Sequence, residues 1–281
     1  MKTISELENI AAQVRRDAIR MISTAKSGHP GGALGCADFV TALFFEIMEA
    51  SPETFTVEGK GEDMFFLSNG HLSSLLYSVM ARRGFFPVSE LGSFRQVGTR
   101  LQGHPTPTHD LPGLRIASGS LGQGISVAIG AALAKKSNSD KKLVFVLTGD
   151  GELQEGQNWE ALMFAAAKKV DNLIAVVDYN KKQIDGSTDN VLSLGDLNAK
   201  FTAFGWSVLE MDGNNMQEVL ETMSAARAAT GNGKPVAVLM HTEMGMGVDF
   251  MMGTHKWHGT PPNAEQTERA LAQLPATIGD Y

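Results

Sequence analysis

The segment from Leu143 to Asp185 reads as strand, Gly-Asp-Gly, helix, strand and Asn, and it restricts the possible folds more than any other part of the chain. Leu143–Leu147 is a short apolar run that stops at Thr148-Gly149-Asp150-Gly151, where glycines on both sides of a carboxylate free the backbone. Trp159, Leu162, Met163, Ala166 and Ala167 follow at helical spacing, and a second apolar run, Leu173–Val177, opens onto Asp178-Tyr179-Asn180. Such a βαβ unit forces its two strands parallel and puts their carboxyl ends on one edge of the sheet. Asp150 and Asn180, about thirty residues apart, are therefore expected side by side. Two oxygen side chains and a loop carbonyl suit a Mg²⁺ that keeps its other positions for phosphate oxygens and water. For a lone Gly-Asp-Gly, a helix cap and an ordinary turn explain the same residues. The Asn at this distance, on the next strand, moves the reading to a ligand site.

The alternation of strand and helix continues along the chain. Ser5 with Glu8 forms a possible capping box before a helix marked by Leu7, Ile10, Val14, Ile19 and Ile22, which ends at a glycine-rich Gly28–Gly32 loop. Ala37–Met48 reads as a buried helix, Phe65–Leu67 as a strand ending at the Ser68–His71 loop, and Ser74–Ala81 as a helix. Residues 84–114 are irregular, long for a loop, and expected to be functional or disordered. After a small-residue helix reaching about Ala134 and the Leu143–Val177 unit come helix 197–204, strand Ser207–Met211, helix Met216–Ala229 and strand Pro235–Met240. The pattern predicts an α/β fold: a doubly wound, mostly parallel sheet with helices on both faces and ligand sites at the strands' carboxyl ends. One domain over residues 1–281 is expected, since no Pro/Ser-rich or charged linker interrupts the chain.

Composition narrows the partners. The formal net charge of −7 has no long run of one sign behind it, which argues against nucleic acid or an anionic membrane. No apolar stretch reaches membrane-spanning length, and Met1-Lys2-Thr3 leads into a polar helix rather than a signal peptide. Cys36 is the only cysteine, so no internal disulfide forms and a cytoplasmic location is the default expectation. In Gly35-Cys36-Ala37 that thiol reads as a small packed side chain, not a nucleophile.

Histidine is the second informative class. His29, His71, His104 and His258 each stand next to a glycine in a loop, where polar groups can converge on a ligand. Any one alone reads as an ordinary loop histidine; four in the same setting do not. They are scattered, with no Cys/His spacing that fits zinc. Gly119-Ser120-Leu121-Gly122-Gln123-Gly124 superficially matches a dinucleotide fingerprint but fails in context, because no clear strand precedes it. Its glycines at a helix start still offer N–H groups to an anion. Glu155, near the first turn of a helix, is favourable there for dipole reasons alone.

Gly149-Asp150-Gly151-Glu152-Leu153-Gln154-Glu155-Gly156, Ser27-Gly28-His29-Pro30-Gly31, Leu67-Ser68-Asn69-Gly70-His71, Gln102-Gly103-His104-Pro105 and the Gly119–Gly124 stretch together resemble the amino-terminal half of a transketolase. These motifs run in the family's order from Ser27 to Gly259. The resemblance implies the diphosphate-binding domain of the thiamine diphosphate fold, with that cofactor and Mg²⁺, or Ca²⁺ or Mn²⁺ in its place. It implies Asp150, Asn180 and the Lys182 carbonyl as metal ligands. It implies His71, Gly119, Leu121, Asp150, Gly151, Glu155, Asn180, Ile184 and His258 as cofactor contacts, with Glu155 at the subunit boundary. It also implies that His29, His71, His104 and His258 are the catalytic set facing the thiazolium, the diphosphate and a sugar. His109, His241 and His255 match no motif. Within Thr242–Gly247, Met244 and Met246 stand where relatives commonly carry lysines.

Full-length transketolases add pyrimidine-binding and carboxyl-terminal domains, and nothing in Thr260–Tyr281 can form one. The expectation is therefore one subunit of a split transketolase that moves a two-carbon glycolaldehyde unit from a ketose, free or phosphorylated, to an aldose. Its partner would be a separate chain carrying the pyrimidine-binding half, in an α₂β₂ assembly. The α component of a 2-oxo acid dehydrogenase, and a cofactor-binding remnant without catalysis, are the competing readings. The Gly-His motifs and Leu153-Gln154-Glu155-Gly156 favour transketolase over the first.

Overall fold

The central strands are apolar on both sides, and the computed structural model, which describes residues 2–281, shows helices covering both faces. In chain order the elements are α1 (Ile4–Ala25), α2 (Pro30–Gly35), α3 (Ala37–Ala42) continued by a wide π turn over Leu43–Ile47, β1 (Met64–Leu67) and α4 (Ser73–Arg83). Then come α5 (Gly124–Ser137), β2 (Val144–Gly149), α6 (Gly156–Ala167), β3 (Leu173–Tyr179), a small hairpin of β4 (Lys182–Gln183) and β5 (Gly186–Ser187), and α7 (Thr188–Leu192). The chain continues through α8 (Leu197–Ala203), β6 (Ser207–Asp212), α9 (Met216–Ala228), β7 (Val236–His241) and α10 (Ala264–Gln273).

The main sheet has five strands in the order β1-β2-β3-β7-β6, each pairing parallel, as the sequence predicts for its core. Side chains alternate between two layers along each strand. Phe65, Leu67, Phe145, Leu147, Ile174, Val176, Val236 and Val238 pack with α1, α3, α4 and α9. Phe66, Val144, Val146, Ala175, Val177, Ala237 and Leu239 pack with α5, α6 and α8. Register brings Gly149 opposite Asp178, and Asp178 opposite Met240, so three strand ends finish level.

Three local expectations shift. The cap of α1 is Thr3 with Glu6, two residues earlier than Ser5 and Glu8; both pairs have the S/T-x-x-E form, and the earlier one lengthens the helix. The predicted Gly28–Gly32 loop is a helix from Pro30 onward, because a proline in the first turn loses no hydrogen bond and comes preset for helical φ. Gly28, at φ +145°, and His29, the residue before the helix, keep a loop backbone. At the other end, α10 was not legible as an element: it starts from an Asn263/Gln266 capping box, but of its ten residues only Ala270 is buried.

Helices α5 and α6 pack on the sheet yet present apolar side chains outward as well. Val127 is 42% exposed, Met163 61% and Phe164 45%. A helix that is apolar nearly all round is suited to burial on both sides.

Candidate active site

Asp150 lies where β2 passes into a 3₁₀ turn, Gly151–Gln154. Its N–H donates to the Asp178 carbonyl at 3.1 Å. One carboxylate oxygen accepts from Gly151 N–H at 2.6 Å and the other from Lys181 N–H at 2.5 Å, so Asp150 also serves as a cap. At the end of β3, Asn180 Oδ1 accepts from Lys182 N–H at 2.9 Å, and its Nδ2 donates to Asp178 Oδ2 at 2.8 Å. Asp178, also buried, accepts from Thr242 Oγ1 at 2.5 Å. In the sequence Asp178 has no evident role; in the fold it holds the Asn180 amide so that its oxygen turns towards the loop.

Burial, and then the charge of Asp178, raises the Asp150 carboxyl to about 8, and burial raises Asp178 too. Among the described residues no ammonium or guanidinium pairs with either carboxyl; the Lys182 Nζ goes to Glu243 Oε1 at 3.1 Å. Nor do three His, Cys, Asp or Glu side chains cluster as a metal site among those residues. A cation here would need the carboxylate, the amide oxygen, a backbone carbonyl and oxygens from outside the protein. That donor set suits Mg²⁺ rather than a softer metal.

The neighbouring loops are fastened by Glu152. Its buried carboxylate accepts from Ser68 Oγ at 2.5 Å, Gly122 N–H at 2.7 Å and Gly149 N–H at 3.1 Å. Ser68 Oγ in turn accepts from Gly124 N–H at 3.1 Å. One side chain thus joins the loops after β1 and β2 to the glycine-rich turn before α5. Glu152 was another residue without a predicted role, since nothing in a tripeptide pattern reveals which loop its carboxylate will meet.

Four histidines, from loops spread over more than two hundred residues, come together beside this corner. Ring centroids are 5.1 Å apart for His29 and His71, 6.3 Å for His29 and His104, 5.8 Å for His29 and His258, and 5.1 Å for His71 and His258. Burial is the first cause lowering all four below the ordinary histidine value, His29 to about 4. For His29 and His104 the Arg95 guanidinium adds to it. Arg95 itself donates to Ser27 Oγ at 2.8 Å and to the Gly103 carbonyl at 3.1 Å, so it ties the His29 loop to the His104 loop. All four imidazoles are therefore neutral at pH 7, each with one donor and one acceptor nitrogen.

A cavity of about 120 Å³ opens at this edge. Of the predicted residues, Asp150, Gly151, Asn180, Lys182, Ile184, Leu121, His71 and His258 line it. His29 and His104 stand beside it. Gly119 backs the His104 ring, which a Cβ there would approach to 2.7 Å. Glu155 is exposed next to Gly122, outside the lining. Met244 closes one wall, buried against Gly31, and leaves that wall apolar where a lysine would bring charge.

Residues 7–276 match the family described as transketolase, thiamine diphosphate binding domain. Over 98% of its length the chain is 38% identical to one of the subunits of the apulose-4-phosphate transketolase of Phocaeicola vulgatus, of which it covers 96%. It is 37% identical, over 96% of each chain, to the 6-deoxy-6-sulfo-D-fructose transketolase subunit SqwG of a Clostridium species. The structure superimposes on the transketolase of Leishmania mexicana with a TM-score of 0.87 at 31% identity, covering all of this chain and 42% of that one. The chain thus has the length of the two subunits and spans about two fifths of the solved transketolase.

Proposed function

Because the chain belongs to the transketolase family, through that family's thiamine diphosphate-binding domain, we propose that it is the cofactor-holding subunit of a split transketolase. Its activity would need a second chain with the pyrimidine-binding half, and α₂β₂ is the simplest assembly that gives each site both halves. The observation that carries the reading is the convergence of Asp150, Asn180 and four neutral histidines on one end of a parallel sheet. The two subunit-length relatives support the split.

The residues fit the implied groups. Mg²⁺ would be held by Asp150, Asn180 Oδ1 and the Lys182 carbonyl, and would offset the two buried carboxyls described above. Gly151, His71 and His258 would take the diphosphate end, Leu121 and Ile184 would supply apolar contact, and Gly119 and Glu155 would lie towards the aminopyrimidine and the partner. Thiamine diphosphate, when bound, supplies the electron sink that lets a ketose break between C2 and C3. The chain's part is to orient and to move protons. Being neutral at pH 7, His29, His71, His104 and His258 can each donate from one ring nitrogen and accept at the other. The partial burial of His29, His71 and His258 limits the water that could compete for the sugar's oxygens.

The substrate class is a ketose donor with an aldose acceptor, both small and either free or carrying an anionic group. The test is co-expression with a candidate partner, followed by a donor screen that offers ketose phosphates and sulfonated ketoses against pyruvate and branched 2-oxo acids. Ketol transfer by the pair, with neither chain active alone, is expected. Turnover with a 2-oxo acid instead would favour the dehydrogenase component and overturn this reading.

A further inference from the structure

Asn69 is 1% exposed and lines the cavity with Asp150 and His71, yet neither its Oδ1 nor its Nδ2 meets a hydrogen-bond partner. Local structure does not account for it. The Asn69 carbonyl accepts from Leu72 N–H at 3.0 Å to start the 3₁₀ turn Gly70–Leu72, and its side chain makes no cap bond. The amide lies against the backbone just before Asp150: a Cβ on Gly149 would stand 3.9 Å from Asn69 Cβ and 4.0 Å from its Nδ2. A buried amide with both ends unmet is costly in the bare protein. Ser68, its neighbour, is spoken for by Glu152. Whichever way the amide is turned, it presents one donor end and one acceptor end. A phosphate oxygen satisfies the donor, and the proton of a metal-bound water satisfies the acceptor.

We propose that Asn69 is a further ligand-binding residue of this site, its amide nitrogen holding a diphosphate oxygen and its amide oxygen a water on the metal. The loop after β1 then grips the phosphate end directly, alongside the ends of β2 and β3. This rests on the cofactor reading above, and the test separates the two. Mg²⁺–thiamine diphosphate, and Mg²⁺ with inorganic diphosphate, are titrated calorimetrically into the purified chain and into Asp150→Ala, Asn69→Ala and Asn69→Asp. The wild type is expected to bind both probes and Asp150→Ala neither. Asn69→Ala should weaken both by roughly tenfold to a hundredfold, the worth of a hydrogen bond to a charged group. Asn69→Asp should weaken them further, because it sets another anion against the diphosphate. Without ligand, Asn69→Ala should melt at or above the wild-type temperature, since an unmet buried amide has gone. If both Asn69 variants bind like the wild type while Asp150→Ala does not, the Asn69 assignment falls alone. If the wild type binds neither probe, or Asp150→Ala binds normally, the cofactor reading falls and takes it along. A lowered melting temperature for ligand-free Asn69→Ala would mark a packing role and also overturn it.

Discussion

At the scale of single residues, the site is built from groups whose ordinary chemistry has been moved by burial. His29 shows this in a form that stability can report. Its folded value of about 4 lies below the usual 6.5, so the unfolded chain takes up a proton at a higher pH than the folded one. Its contribution is therefore full above pH 6.5 and is lost as pH falls from 6.5 towards 4. At pH 5 that loss is on the order of 2 kcal/mol for His29 alone. Urea midpoints measured between pH 7 and 5 should fall for the wild type and fall less for His29→Asn; parallel curves would contradict the assignment. His104 is exposed, so His104→Ala should leave the midpoint near wild type while lowering turnover of the assembled enzyme by roughly a hundredfold, the typical worth of a positioned acid or base. Much of this layer was legible beforehand: Asp150, Asn180 and the Gly-flanked histidines stand in motifs with a spacing. Asn69, Asp178 and Glu152 stood in the same motifs without a role, because their importance lies in which hydrogen bonds they make or lack. That depends on loops far away in sequence.

Among elements, the site depends on turns that touch backbone to backbone. A Cβ on Gly124, the first residue of α5, would lie 2.4 Å from Ser68 Oγ and 2.7 Å from its Cα. A Cβ on Gly70 would lie 2.7 Å from the Gly119 nitrogen. Backbone cannot swing aside as a side chain can, so Gly124→Ala should destabilise by roughly 1–3 kcal/mol and loosen the Glu152 network. Gly130→Ala, further along α5 with nothing within 4 Å, is the control, and should stabilise by roughly 0.5–1 kcal/mol through helix propensity. Chemical denaturation of both variants checks the contrast, and equal effects would show that the close approach is unimportant. The central strands were readable to within two residues because both faces are buried and their apolar runs are unbroken. The edge strand β6 was readable as closely, from Ser207 to within one residue of its end, whereas helix α10, with only Ala270 buried, shows too little apolar pattern. Gly28, Gly31 and Gly32 suggested a loop, and only Pro30 among them pointed to the helix that forms.

For the whole molecule, the outward apolar residues Val127, Met163 and Phe164 of α5 and α6 suit coverage by the proposed second chain. The purified chain alone should be folded yet show no ketol transfer at saturating Mg²⁺ and thiamine diphosphate. Turnover of a few per second or more, typical of enzymes, would contradict the split assembly. Aspartate at Met163 and Phe164 should leave the isolated chain's melting temperature near wild type while weakening capture by the partner in analytical ultracentrifugation.

The strand order carries a consequence for how the chain comes to be folded. β7 is the last strand to be made, yet it lies inside the sheet, between β3 and β6. Until Val236–His241 has emerged, β3 keeps one side open and β6 has nothing to pair with. At synthesis rates of about 5–20 residues per second, the sixty-odd residues from Tyr179 to His241 leave that sticky flank uncovered for several seconds. That interval is therefore when the β3 edge is open to chaperones or to neighbouring nascent chains.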